Sequence, residues 1–139
     1  MSSPVRGSCL CGGVGYSVDG RISDIGQCHC SKCRKVSGVN SNGVVMAAAK
    51  RFQWEAGEDL VHRYEMPDGW STTFCGNCGS PLPMQTPDNK LVWIPIGSLD
   101  EHPEIKVVEH IFVGSKGSWE VIGDDAPQFE RDPPVINAS

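Results

Sequence analysis

Three cysteines stand within six residues of this sequence, as Cys28, Cys30 and Cys33, with the spacing C-x-C-x-x-C. Thiolates that lie so close together can all face one soft cation, and Zn²⁺ is the usual partner of cysteine clusters. Three protein ligands leave one position of a tetrahedral zinc open, and an open position is typical of a reactive rather than a structural zinc. The chemistry of this stretch therefore depends on whether another cysteine closes the site.

The other four cysteines form two pairs, Cys9 with Cys11 and Cys75 with Cys78. Residues two apart on an extended segment point to the same side, and C-x-x-C flanked by glycines is typical of a zinc knuckle. The two pairs together supply the ligands of a closed structural zinc and leave the central three cysteines as a separate, open set. In the alternative division the central set takes one outside cysteine, which would break up a pair, so we favour the first division.

Disulfide bonds are the other common use of cysteine. The count of seven is odd, and residues 1–7 lack the apolar run of a signal peptide. Clustered cysteines without a secretion signal indicate metal binding rather than disulfides. We therefore expect a cytoplasmic protein with one structural zinc and one catalytic, more labile zinc.

Basic residues follow the central cysteines at once, as Lys32, Arg34 and Lys35. Zn²⁺ with three thiolates carries a net negative charge, which these side chains could offset, or they could bind the carboxylates of a ligand. A role as solvated surface charges is an equally good interpretation. His29 lies between two cysteines and would point to the opposite face of a strand, so we predict a packed or hydrogen-bonded histidine rather than a ligand.

Short strands are the elements that must position these residues. The 16 glycines and 10 prolines favour strands and turns over long helices. Ser31 is a candidate cap for a short helical turn that ends at Ser37-Gly38. Residues 43–49 fit either a buried strand or a helix, and residues 124–139 are expected to pack loosely. Alternation and apolar runs predict strands at 14–18, 25–29, 52–54, 60–64, 70–74, 91–96, 109–113 and 119–122.

The totals limit the classes of function. A chain of 139 residues with 39% hydrophobic residues suits one all-β domain spanning 1–139. A net charge of −5 and a pI near 5.3 are a poor match to nucleic acid or an anionic membrane. No apolar run approaches the length of about 20 residues that spans a bilayer. We expect a small-molecule thiol or aldehyde as the partner, with no nucleic acid and no membrane; the oligomeric state is not predicted.

Other residues that could do chemistry favour structural roles. The tryptophans Trp54, Trp70, Trp93 and Trp119 are expected in the core rather than in a pocket. His110 is expected to be a structural, hydrogen-bonding residue, and Asp124-Asp125 to be solvated. No Ser-His-Asp order, phosphate loop or dinucleotide fingerprint is present.

Three cysteine motifs in this order resemble the glutathione-dependent formaldehyde-activating enzyme (GFA) family, which also includes centromere protein V. They read Gly7-Ser8-Cys9-Leu10-Cys11-Gly12, then Cys28-His29-Cys30-Ser31-Lys32-Cys33-Arg34-Lys35-Val36-Ser37-Gly38, then Phe74-Cys75-Gly76-Asn77-Cys78-Gly79-Ser80-Pro81-Leu82. Ile96-Gly97-Ser98-Leu99-Asp100, His110-Ile111-Phe112-Val113 and Trp119 match the later pattern. The resemblance covers residues 6–127.

The resemblance implies the Mss4-like β-tent fold, with two zinc sites divided as above. It also implies a carbon–sulfur lyase that joins formaldehyde to the thiol of glutathione, with Cys28, Cys30 and Cys33 at the catalytic zinc. A zinc-stabilised binding module without catalysis is the alternative function. Exposed thiolates oxidise readily and bring a pure scaffold no benefit, so the open set favours the enzyme. A methionine-sulfoxide reductase would need a redox cysteine outside the metal sets, and none remains.

Overall fold

The computed structural model describes residues 4–132, which form eleven short strands and one α-helix. The all-β prediction is therefore confirmed, with a single helix of seven residues. In chain order the elements are β1 Val5–Ser8, β2 Gly15–Val18, β3 Ile25–Cys28, α1 Ser31–Ser37, β4 Asn42–Ala48, β5 Phe52–Ala56, β6 Val61–Glu65, β7 Ser71–Cys75, β8 Pro81–Leu82, β9 Met84–Gln85, β10 Leu91–Pro95 and β11 Val107–Ile111. Among the described helices, none is long and apolar enough to cross a bilayer.

The strands form three sheets, with the orders β1-β2-β5, β11-β3-β4-β10-β9 and β6-β7-β8. In the five-stranded sheet, β3 pairs antiparallel with β4 and parallel with β11. The β11 pairing brings Ile111 opposite Cys28 although they are far apart in sequence. The strand that ends at Cys28 is thus held on both sides, which fixes the start of the central cysteine motif.

Alternation along β4 and β10 builds the main core. Gly43, Val45 and Ala47 are buried while their neighbours are half-buried. The segment for which the sequence fitted either a helix or a strand is therefore a strand, β4. One core cluster joins this sheet to β2 and consists of Tyr16, Val18, Val45, Ala47, Val92 and Ile94. The other face of the five-stranded sheet is left free of this core, because side chains alternate between the two faces.

A second core cluster contains two cysteines. Cys9, Val14, Cys75 and Leu82 are buried together, with Leu60 and Val61 packed against them. The cluster connects the segment after β1 to the third sheet. Two metal-ligand candidates are therefore part of the core rather than additions to its surface.

The strand predicted at 119–122 is wrong. The chain turns there, with the N–H of Glu120 bonded to the carbonyl of Gly117 at 3.1 Å. Trp119 is 68% exposed and Val121 is 88% exposed, so the apolar residues that suggested a strand have no sheet to pack on. The indole of Trp119 instead donates to Oδ1 of Asn40 at 2.7 Å.

The expectation of loose packing from residue 124 onward is also wrong for the part that is described. The N–H of His110 donates to the carbonyl of Pro127 and that of Phe129 to the carbonyl of His110. A further bond joins the N–H of Phe112 to the carbonyl of Arg131 at 3.0 Å. The segment 124–132 thus runs alongside β11 and is tied to it by backbone bonds; residues 133–139 lie outside the described part.

Tyr16 makes the stability of the fold depend on pH in the alkaline range. Its side chain is 1% exposed and its hydroxyl bonds Oγ of Ser98 at 2.6 Å. Burial raises the pKa of Tyr16 from 10.0 to about 12. Above pH 10 the unfolded chain loses this proton while the folded chain keeps it, so this contribution to stability is lost as the pH rises from 10 to 12.

We expect the free energy of unfolding to fall between pH 10 and 12 by up to about 1.4 kcal/mol per pH unit through this group. Urea unfolding of the wild type and of Tyr16→Phe at several pH values measures it. The variant should be less stable at neutral pH, because it loses the hydroxyl bond, but should lack this part of the alkaline decline. Parallel curves for the two proteins would contradict the assignment.

Candidate metal sites

The four outer cysteines meet in space. The Sγ atoms of Cys9, Cys11, Cys75 and Cys78 all lie within 4.8 Å of one another. The Sγ of Cys11 is 3.5 Å from that of Cys9 and 3.9 Å from that of Cys75. A tetrahedral zinc with Zn–S bonds of about 2.3 Å places its sulfurs about 3.8 Å apart. The donor set therefore fits a closed four-sulfur metal site, and all seven cysteines are free thiols.

Each sulfur of this four-cysteine cluster has a hydrogen-bond donor. The backbone N–H groups of Val14, Gly13 and Asn77 and the hydroxyl of Ser80 point at the four sulfurs from 3.2 to 3.4 Å. The bond from Ser80 is the largest cause that lowers the pKa of Cys78 to about 5. Donors of this kind share the negative charge of thiolates and orient them, as the outer partners of metal ligands do.

The four-cysteine cluster links two distant parts of the chain. Cys11 and Cys75 are 64 positions apart, and Cys75 ends β7 while Cys9 follows β1. Cys9 and Cys75 belong to the second core cluster, whereas Cys11 is exposed. A metal ion here would crosslink the first and third sheets.

The three central cysteines form a separate cluster, with all Sγ atoms within 4.8 Å. Cys28 ends β3, Cys30 precedes α1 and Cys33 lies in its first turn. The division of seven cysteines into four and three, predicted from their spacing, is the one that the geometry gives. Within residues 4–132 no fourth cysteine, histidine or carboxylate joins the group.

Helix α1 begins one residue earlier than predicted. Cys30 rather than Ser31 is the N-cap, and its Sγ accepts the backbone N–H of Cys33 at 3.4 Å. A side chain at the cap naturally reaches the third helical residue, so the C-x-x-C spacing brings both sulfurs to the same side. The predicted end at Gly38 is confirmed, with φ at +72°.

The three thiols are not equivalent before metal binds. The thiol of Cys33 donates a hydrogen bond to Cys28, which is the main cause that lowers the pKa of Cys28 to about 6. The same bond and burial raise the pKa of Cys33 well above its usual range. Cys28 therefore gives up its proton more readily than Cys33, and a metal ion must displace the proton of Cys33 to gain that ligand.

The three-cysteine cluster opens into a groove of about 960 Å³, which all three cysteines line. Its floor is the free face of the five-stranded sheet, where Met46, Trp93 and Met84 stand opposite one another on β4, β10 and β9. Trp70, Leu82 and Phe112 also line it. A deep, largely apolar groove with metal ligands in its wall is the usual form of a small-molecule site.

The three basic residues near the cluster are placed differently. Lys32 lines the groove, pairs with the carboxylate of Asp68 and lies 5.8 Å from the ring centroid of Trp70. Arg34 is half-buried and Lys35 is exposed on α1, and neither is among the residues that line the groove. Of the side chains predicted to bind ligand carboxylates, Lys32 is the one beside the cysteines.

A chain of four side chains, the histidine array, lies behind the cluster and consists of Glu120, His29, His110 and Asp124. His29 is fully buried and its Nδ1 donates to Oε1 of Glu120 at 2.9 Å. Its Nε2 is 2.9 Å from Nδ1 of His110, whose Nε2 donates to Oδ1 of Asp124 at 2.9 Å. Both histidines are hydrogen-bonded, as predicted.

The two imidazoles of the histidine array lie between two carboxylates, one at each end of the chain of contacts. Asp124 is therefore not simply solvated, as its sequence context suggested, and the bond from His110 lowers its pKa. The array holds β3, β11 and the segment 117–132 together directly behind Cys28 and Cys30.

The sequence patterns did not predict which residues form the groove walls, nor that two carboxylates join the histidine array. Trp54 packs against the main core as expected, but the core prediction is wrong for Trp70 and Trp93, which line the groove, and for Trp119, which is exposed. One usable signal was present: the continuous apolar run at 91–96 indicates a strand with two apolar faces. Glu120 and Asp124 carry no comparable signal, because nothing nearby in sequence indicates that they meet a histidine.

Comparison with known proteins agrees with this geometry. A model of the glutathione-dependent formaldehyde-activating enzyme family matches residues 4–115. A solved structure described as a Rhodobacter sphaeroides protein is similar at a TM-score of 0.58 and 21% identity, over 73% of this chain and 98% of that one. At this identity the likeness concerns the fold. No curated protein matches the chain.

Proposed function

This chain belongs to the glutathione-dependent formaldehyde-activating enzyme family, and from that membership we propose that it is a zinc-dependent carbon–sulfur lyase. The reaction joins a small, glutathione-like thiol to an aldehyde such as formaldehyde, and runs in either direction. The observation that carries the proposal is the three-cysteine cluster, which has no fourth ligand within residues 4–132 and lies in the wall of the groove. A scaffold has no need of an incomplete ligand set that faces a cavity.

The two clusters have different roles in this proposal. Cys9, Cys11, Cys75 and Cys78 hold a structural zinc, because four sulfurs at tetrahedral spacing close the coordination shell. Cys28, Cys30 and Cys33 hold the catalytic zinc. When bound there, Zn²⁺ supplies Lewis acidity that lowers the pKa of a thiol offered to the open position.

The chain itself contributes position and exclusion of water. The three cysteines fix where the sulfur of the thiol lies, and the histidine array holds β3 and β11 so that Cys28 and Cys30 keep their places. The groove walls shield the reacting sulfur from water. In the reaction the S–H bond breaks, a C–S bond forms, and the π electrons of the carbonyl move to its oxygen, which takes the proton.

Lys32 is the basic residue we assign to an anionic group of the thiol or to the net negative charge of the cluster. Its ion pair with Asp68 must open for it to bind a carboxylate. Arg34 and Lys35, further along α1, act on such a group only over a longer range. The free thiols of all seven cysteines suit a reducing compartment, so we propose a cytoplasmic location.

Thiol binding and aldehyde exchange test the proposal together. Calorimetry of the two-zinc protein with glutathione and other small thiols measures binding, and NMR exchange rates of the formaldehyde adduct measure catalysis. We expect thiol binding and a faster exchange rate. If the zinc-loaded protein binds no small thiol and leaves the exchange rate unchanged, the enzyme proposal is wrong and a zinc-stabilised binding module is the better description.

A further inference from the structure

We propose that the thiol taken by the three-cysteine cluster is an apolar one, with an uncharged aromatic or branched body that lies in the groove. The inference rests on the proposed function and deepens it, since it replaces glutathione by another class of thiol. Three features of the groove carry it: an apolar floor, an excess of acidic groups, and the position of the cysteines.

The floor of the groove is apolar, whereas a sheet face that no other layer covers is ordinarily polar. Residues of β4 and β10 that point away from the core should face water, and an antiparallel sheet then alternates apolar and polar residues. Here Met46, Trp93 and Met84 form a continuous row across three strands on that face. Trp93 is 39% exposed, and a contiguous apolar surface of this kind in a groove marks a binding site.

The side chains in the row suit a ring or a branched chain. Methionine is flexible and polarisable and makes favourable contacts with aromatic rings, while tryptophan offers a broad flat surface. Trp70 and Phe112 add further aromatic surface to the groove. A volume of about 960 Å³ is ample for a thiol of this class.

The charges around the groove disfavour glutathione, which carries two carboxylates and one ammonium group. The basic side chains that line the groove are Arg21 and Lys32, and Lys32 is already paired with Asp68. The acidic side chains that line it are more numerous, namely Asp24, Glu104, Glu109 and Asp132. An anionic body would meet repulsion there, whereas an uncharged body would not.

A second cavity exists nearby but does not contain the cysteines. It has a volume of about 610 Å³, and its lining mixes polar residues such as Gln27 and Asn40 with apolar ones such as Val39 and Ile96. It borders the groove at Ser37 and Asn42, but Cys28, Cys30 and Cys33 line only the groove. A thiol whose sulfur reaches the cluster therefore meets the apolar surface of the groove first.

Calorimetry with three matched probes tests the inference on the zinc-loaded protein. The probes are 2-phenylethanethiol, glutathione, and 2-phenylethanol, which has the same ring and no sulfur. We expect the aromatic thiol to bind at least about tenfold more tightly than glutathione, because burial of part of a ring strengthens binding by about this factor. We expect the alcohol to bind weakly, to zinc-loaded and metal-free protein alike.

Two tryptophan variants show where the ring lies. Trp93→Ala removes the centre of the apolar row and should weaken both aromatic probes about tenfold, with glutathione unchanged. Trp119→Ala is the matched control, because Trp119 is also exposed but lies outside the groove, and it should change nothing. Melting temperatures of the two variants establish that both are folded, and the comparison of probes on the wild type does not depend on them.

The outcomes separate the two proposals. Glutathione binding as tightly as the aromatic thiol, or equal effects of the two tryptophan variants, overturns the apolar-thiol inference and leaves the proposed lyase intact. A third outcome is that 2-phenylethanol binds, that Trp93→Ala weakens this binding, and that no thiol binds more tightly than the alcohol. This outcome supports the apolar site and counts against the open metal position. Failure of all three probes to bind overturns both.

Discussion

Replacement of Cys75 by serine is expected to lower the melting temperature by about 15 °C or more and to reduce the yield of folded protein. Cys75 is fully buried and belongs both to the four-cysteine cluster and to the second core cluster. Binding of a structural zinc is folding free energy, and a broken ligand set forfeits several kcal/mol of it. For a domain of this size each kcal/mol corresponds to a few degrees.

The matched control for this prediction is Cys30→Ser, the same change at the other cluster. Serine is itself a good helix cap, so α1 keeps its N-terminal hydrogen bond. The three-cysteine cluster does not crosslink two sheets, and we expect a decrease in melting temperature of less than about a third of that for Cys75→Ser. Scanning calorimetry of both variants as purified decides the matter; equal melting temperatures would count against the structural role of the outer cysteines.

Cys33→Ser is expected to abolish the proposed reaction while the fold remains. With two thiolates in place of three, the central cluster should lose its metal ion, and we expect the NMR exchange rate of the thiol–formaldehyde adduct to fall at least about a hundredfold, toward the uncatalysed value. Zinc content should fall from two ions to one per chain. The melting temperature should stay within a few degrees of that of the wild type, because the four-cysteine cluster is untouched.

Ser31→Ala is the control for the loss of activity. Ser31 is exposed on α1 between Cys30 and Lys32, and it neither lines the groove nor serves as the cap. Its substitution should leave both zinc content and exchange rate unchanged. Undiminished exchange in Cys33→Ser at one zinc per chain would place any catalysis outside the three-cysteine cluster.

The metal ligands could be predicted because their signal is local. C-x-C and C-x-x-C spacings indicate which sulfurs lie on the same side of a strand or in the first turn of a helix. Only one division uses all seven cysteines without breaking up a pair. Most strands were predicted for the same reason, since the alternation along residues such as Val14, Tyr16 and Val18 is visible without any partner.

The histidine array and the groove depend on partners that local pattern does not reveal. The parallel pairing of β11 with β3 brings His110 to His29 across 81 positions, and no short-range signal specifies it. The row of Met46, Trp93 and Met84 likewise exists only once the order β4-β10-β9 is known. The strand wrongly predicted at 119–122 fails for the converse reason: its local pattern is suitable, but no sheet edge receives it.

The sulfur count at zinc tests most directly whether the chain holds one closed and one open metal site. Zinc X-ray absorption of the fully loaded protein, at two ions per chain, should give an average of about 3.5 sulfurs per zinc at about 2.3 Å. Addition of 2-phenylethanethiol should raise that average to about four, because a thiol fills the open position. A single zinc per chain under saturating metal, or an average of four sulfurs that the thiol does not change, would contradict the open site.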